Sequence, residues 1–131
     1  MEAVSQLKYV RISTKKIKQL GRLAVGLSPQ QALERLTLLE GKTPQLLSKA
    51  INSAKYNAIN NSKLNLQNLV IKEIIINKGP FFKRWQPVSR GMAHPIKKRT
   101  SHIKVLIAEK SETKLLNKAE SKKEPEKKEN K

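Results

Sequence analysis

The side chains best suited to chemistry lie between residues 78 and 104, KGPFFKRWQPVSRGMAHPIKKRTSHIK. Lys83 and Arg84 form one basic cluster and Lys97, Lys98 and Arg99 a second, with Arg90 between them. Phe81, Phe82 and Trp85 are interleaved with the first cluster. The stretch holds eight Lys and Arg and no Asp or Glu. Cationic heads neutralise phosphates, and aromatic rings stack on unpaired bases or pack into RNA grooves. His94 and His102 lie in the same stretch, so acid–base or metal chemistry is the rival. A catalytic histidine needs a partner within hydrogen-bond reach, and no Asp or Glu stands near either one in the chain. Ser101 next to His102 is not a triad, because that constellation also needs an orienting acid. The chain has no cysteine, which removes disulfides, thiolate metal sites and a Cys nucleophile. No Gly-rich phosphate loop ending in Lys-Ser/Thr and no paired carboxylates occur. The expectation is therefore no catalytic residue, no metal and no cofactor.

The whole chain supports a polyanion partner. Its 131 residues make one domain and carry 28 Lys and Arg against 10 Asp and Glu, a net charge of +18. A soluble domain of this size is comfortable with a charge of roughly 2 to 8. The excess repels itself in the compact state, and RNA, DNA or an acidic membrane surface would relieve it. From Lys110 the composition shifts to Lys, Glu, Asn and Ser, with Leu115 and Leu116 the only bulky apolar residues. Residues 110–131 are expected to be a disordered tail, since they lack the apolar surface to offset chain entropy. The basic excess then belongs mainly to residues 1–109. The opening MEAVSQLKYVRIS resembles neither a signal peptide nor a transit peptide. No apolar run approaches the roughly 18 residues of a membrane span, so no membrane partner is expected.

The elements that must position the basic segment are legible on either side of it. Ser13 and Gly26 frame a first helix, with Ile17, Leu20, Leu23 and Ala24 apolar and Lys15, Lys16, Lys18 and Arg22 on the other face. Ser28-Pro29, with Gln31 three residues after the serine, opens a second helix whose stripe is Ala32, Leu33, Leu36 and Leu39, ended by Gly41. Thr43-Pro44 opens a third that runs to about Asn61. Ala50, Ala54 and Ala58 leave it a shallow groove that another element can approach closely. Residues 69–77 are rich in β-branched side chains, and Ile103, Val105 and Ile107 alternate at period two, so both segments read as strands. A short strand fits residues 7–12. The fold class expected is α+β, with three helices on a small three-stranded antiparallel sheet.

Between the two later strands, Gly79-Pro80 reads as a break and Arg90-Gly91 as a turn. The two basic clusters lie at similar distances from that turn. This layout fits a long protruding hairpin over about residues 79–102, with Gly91 near its tip. Arms of about ten residues at about 3.3 Å each would hold the tip roughly 30 Å from the sheet. A free two-stranded ribbon is marginal in water, and this one repels itself along its length. Pro87 and Pro95 stiffen the arms and discourage edge pairing. A basic run is ordinarily just a solvated face, but the absence of acids together with aromatics argues for RNA. Taken alone, Trp85 reads as a packing residue, and one of Phe81 and Phe82, nearer the sheet, reads as core.

KRTSHI, residues 98–103, resembles the closing signature of the bacterial-type L twenty-two family of large-subunit ribosomal proteins. VRIS followed by KKIKQL, QALERL in the second helix, the alanine-rich third helix and KEIIINKGPFFKRWQP resemble the family in order and spacing, over about residues 7–109. The resemblance implies an rRNA-binding domain at residues 1–109, placed near the peptide exit. Its hairpin would thread through 23S-type rRNA and line the nascent-peptide tunnel. It implies a role in subunit assembly and no enzymatic activity. The partners implied are 23S-type rRNA, other large-subunit proteins and the nascent peptide, without homo-oligomers. The place implied is a cytoplasmic ribosome, with an organellar one left open. The rRNA-binding residues expected are Arg11, Lys15, Lys16, Lys18, Lys83, Arg84, Trp85, Arg90, Lys97, Lys98, Arg99, Thr100, Ser101 and His102. Those expected at the tunnel-facing tip are Val88, Ser89, Arg90, Gly91, Met92 and Ala93. The tip departs from the family. Basic residues are common there at the positions of Val88 and Met92, an acidic or polar residue near His94, and Arg at Pro95. Composition alone leaves two rivals: a free, sequence-tolerant RNA binder or RNA chaperone, and a nuclease using His94 and His102.

Overall fold

Ile103, Val105 and Ile107 are buried while the residues between them stay partly exposed, which gives the last strand one apolar face and places it mid-sheet. A computed structural model describes residues 2–109. The tail expected at 110–131 lies outside them. The order is β1 (Glu2–Val10), α1 (Thr14–Ala24), α2 (Pro29–Thr37), α3 (Lys42–Asn60), β2 (Leu69–Pro87) and β3 (Ala93–Glu109). Three helices and a three-stranded antiparallel sheet of order β1-β3-β2 make the α+β class expected. In register, Ala3 and Ile71 flank Ile107, Ser5 and Ile74 flank Val105, and Leu7 and Ile76 flank Ile103. The helices cover this face. Leu47, Ala50, Ile51, Ala54 and Ala58 of α3 are fully buried, so the small side chains do bring that helix down onto β1 and β3. Asn57 fixes its end by donating to the Val4 carbonyl at 2.9 Å. Among the described residues no helix is long and apolar enough to cross a membrane.

The caps explain the helix boundaries, with some corrections. The Ser28 hydroxyl accepts the Gln31 N–H at 3.3 Å, with Pro29 in the first turn, as the sequence implies. α2 then stops at Thr37, and Leu39 is left beyond it, partly exposed. Gly41, expected to end α2, instead caps α3 with φ +117, and the helix begins before Thr43-Pro44. In α1 the expected apolar Leu23 is exposed. Gly21 takes its place on the buried face, where a Cβ would lie 3.3 Å from Ile76 and 3.7 Å from Ile74. The α1–α2 link is fastened to the sheet edge. Gly26 N–H donates to the Ile71 carbonyl and Ile71 N–H to the Leu27 carbonyl, each at 2.9 Å.

Gly79-Pro80 does not break the strand. β2 runs through it as a bulge, with Lys78 opposite Ser101 and Phe81 opposite Arg99, so that Gly79 and Pro80 together face Thr100. A bulge leaves a residue out of the ladder, which is where proline's missing N–H does least harm. The sheet and the hairpin are thus one continuous pair of strands.

Candidate nucleic-acid interface

Beyond the bulge the ladder continues from Phe81↔Arg99 through Lys83↔Lys97 and Arg84↔Ile96 to Pro87↔Ala93. From residue 81 to residue 99 no side chain is buried, and Ile96 alone is partly covered. Two lysines stand directly opposite each other, an arrangement that opposes pairing. Strand alternation sets Phe81, Lys83 and Trp85 with Arg99 and Lys97 on one face, and Phe82 and Arg84 with Lys98 on the other. The ribbon is therefore basic on both faces. A strand pair lying on one surface needs charge on one side only. Charge on both sides suits insertion between polyanionic segments. Among the described residues the single ion pair joins Lys72 to Glu2, away from the ribbon; that hydrogen bond and the lysine charge hold the Glu2 carboxyl below its ordinary range.

The aromatic residues follow the charges. Phe81 and Phe82 are each 46% exposed and neither enters the core, contrary to the expectation for one of them. Lys97 Nζ stands 5.1 Å from the Phe81 ring centroid. Trp85, at 70% exposure, is not a packing residue of this fold either. At the tip, Met92 N–H donates to the Ser89 carbonyl at 3.4 Å, and Val88 N–H to the Met92 carbonyl at 2.8 Å. Gly91 has φ +70, as a tight hairpin turn requires, and Arg90 shares the left-handed region at φ +60. Val88 and Met92 are exposed, so the tip presents apolar surface between charged arms.

At the root, three consecutive side chains hold three separate backbone segments. Thr100 donates its hydroxyl to the Pro80 carbonyl, and Ser101 donates to the Ile12 carbonyl. His102 Nδ1 accepts the Tyr9 N–H at 3.0 Å, which leaves the ring proton on Nε2. Thr100 and Ser101, expected to touch rRNA, are buried at 3% and 0% exposure. Their hydroxyls position the hairpin root, because a buried hydroxyl must find a partner inside the protein. His102 is half-buried and likewise held by the fold. Eight residues of strand separate it from His94, about 26 Å, so the two imidazoles form no acid–base pair. Among the described residues no group of three metal-binding side chains occurs. Lys15, Lys16 and Lys18 are exposed on α1, and exposed Arg11 lies where the β1–α1 link meets the hairpin, its guanidinium carbon 5.9 Å from the Phe82 centroid. Sequence separation hid this meeting of Arg11 with Phe82, and hid Tyr9 altogether.

A family profile described as Ribosomal protein L22p/L17e matches residues 5–108, nearly all of the chain described. The chain belongs to that family. It is 41% identical over 109 residues to the large ribosomal subunit protein uL22 of Akkermansia muciniphila, covering 83% of this chain and 97% of that protein. The uL22 of Clostridioides difficile is 40% identical, covering 84% of this chain and 99% of its relative. That of Deinococcus radiodurans is also 40% identical, over 79% and 77%. The KRTSHI segment that suggested the family is now explained in part by mechanics, since three of its residues anchor the root.

That anchoring is testable at Gly79, where a Cβ would lie 2.4 Å from the Thr100 hydroxyl oxygen. Gly79→Ala should lower stability by about 1–3 kcal/mol in urea unfolding, as overpacking does. In a Thr100→Ala background the same change should cost at least about 0.5 kcal/mol less. Additive losses would show that the clash is not what makes glycine necessary.

Proposed function

We propose that this chain is a structural constituent of the large ribosomal subunit that binds 23S-type rRNA, aids subunit assembly and presents its hairpin tip to the nascent-peptide tunnel. The observation that carries the proposal is the exposed ribbon of residues 81–99, basic on both faces and without a core of its own. Such a ribbon gains stability when phosphates surround it, and each neutralised phosphate releases condensed counterions. In this reading residues 1–109 are the rRNA-binding unit. Lys83, Arg84, Lys97, Lys98 and Arg99 neutralise phosphates along the arms, Arg90 does so near the tip, and Trp85 packs against bases or sugars. Arg11, Lys15, Lys16 and Lys18 extend the footprint onto the globular part. Val88, Ser89, Gly91, Met92 and Ala93 are less charged, which suits a wall past which peptides slide. The relatives named above are bacterial, so the proposed place is the cytoplasmic ribosome, among other large-subunit proteins. No catalytic step is assigned. A free RNA chaperone would share the charge, but no particular feature of this fold favours it.

Two measurements follow. Binding of the chain to transcribed 23S-type rRNA should weaken with salt at a log–log slope on the order of −4 to −8, for about six to ten phosphates. Lys98→Ala or Arg99→Ala should each lessen that slope by about one unit; a wild-type slope near −1 would sink the phosphate clamp.

Deletion of residues 89–93 should leave large-subunit yield nearly unchanged in a strain carrying only the deleted form, since the arm cations remain. It should alter macrolide sensitivity or nascent-chain stalling. Failed assembly with unaltered drug response would make the tip an RNA anchor and end the tunnel assignment.

A further inference from the structure

A small hollow of about 210 Å³ opens at the hairpin root, lined by Tyr9, Arg11, Phe82 and Arg84. It is smaller than the roughly 300 Å³ at which drug-sized pockets begin, and suits one planar ring system. The Arg11 and Arg84 guanidinium carbons lie 5.9 Å and 5.8 Å from the Phe82 centroid. The ring's negative face attracts both cations and offsets part of their mutual repulsion. Arg84 is further steadied by donating to the Lys83 carbonyl at 2.8 Å. Among the described residues no acidic side chain lines the hollow, so two guanidinium groups are gathered there side by side.

Tyr9 supplies the other half. Its backbone sits at φ +56, a conformation costly for an aromatic residue, within the β1 irregularity between Leu7 and Val10. His102 maintains it, by accepting the Tyr9 N–H and by packing against the ring edge-on at 4.8 Å between centroids. Tyr9 is nevertheless 63% exposed. A strained, doubly held residue thus presents an open ring face beside two preassembled cations.

We propose that this hollow receives a single unpaired RNA nucleotide, its base stacked on Tyr9 and its phosphate held between Arg11 and Arg84. The inference rests on the RNA-binding reading above and adds what that reading lacks, a site that selects an unstacked base. Duplex RNA offers phosphates but no free base face, whereas loops and bulges offer both. An acidic peptide would satisfy the arginines but would leave the tyrosine face without a planar partner.

The test is photocrosslinking from position 9. A benzophenone amino acid replaces Tyr9 in the full chain, the chain is assembled into large subunits, and the crosslink is mapped on rRNA by reverse-transcription stops. The expected result is one dominant crosslink, to a nucleotide outside any base pair. A crosslink only to protein, to a paired stem, or to nothing while the chain sits in the subunit overturns the hollow as a nucleotide site. Absence of the chain from large subunits would instead overturn the ribosomal reading. Affinity for transcribed 23S-type rRNA gives a second readout. Tyr9→Phe should bind like wild type, and Tyr9→Leu should bind roughly 5- to 150-fold more weakly, the range of one base stack, with the salt slope unchanged. Arg11→Gln should lessen the slope by about one unit. Equal binding by Tyr9→Phe and Tyr9→Leu would remove the stacking role.

Discussion

Lys83 faces Lys97 across a two-stranded ribbon that buries none of its side chains, and the rest of the structure is arranged around that repulsion. Within the ribbon the ladder bonds and a few aromatic–cation contacts oppose it. Each such contact is worth on the order of 0.5–1 kcal/mol at exposed sites, too little to offset an isolated hairpin's marginal stability. Two things can hold the arms together: a rigid root on the protein side and a polyanion along their length. The fold supplies the first, and the charge of both faces calls for the second.

The root is rigid because of what Thr100, Ser101 and His102 hold. β3 is the middle strand, so these residues reach the bulge of β2 on one side, and β1 and the β1–α1 link on the other. Gly79 lets β2 come close enough for the Thr100 hydroxyl to reach the Pro80 carbonyl. The buried isoleucines beyond, packed under the alanines of α3, then fix β3 as the lever from which the hairpin projects. Chain, core and interface are linked in one line. Small helix residues permit close packing, close packing fixes the central strand, and the central strand aims the basic arms.

Much of this was legible in the sequence because it depends on periodicity and local signals. The alternation at Ile103, Val105 and Ile107, the Ser28-Pro29 start, the alanines of α3 and the two basic clusters about Gly91 all read correctly. What failed depended on contacts between distant segments. Gly79-Pro80 looked like a stop because a bulge is defined by its partner strand, not by its own residues. Leu23 looked like core because helical spacing does not say which side of a stripe meets the sheet; Gly21 does so, under Ile74 and Ile76. Thr100 and Ser101 shared a motif with the basic residues and were grouped with them, yet alternation puts Ser101 on the core face with Ile103, and the β2 bulge covers Thr100 on the opposite face. Tyr9 and Arg11 carried no local signal for meeting Phe82, some seventy residues later, and only the fold brings them together.

The central claim is that this chain supplies an anchored but incomplete ribbon, which RNA completes. Amide hydrogen exchange over residues 84–96, in the free chain and in assembled large subunits, tests it most directly. Fast exchange is expected along the arms of the free chain beside strong protection at Ile103, Val105 and Ile107, with protection of the arms only in the subunit. Arms as protected as the core strand in the free chain would contradict it, because the ribbon would then be stable without any phosphate near it.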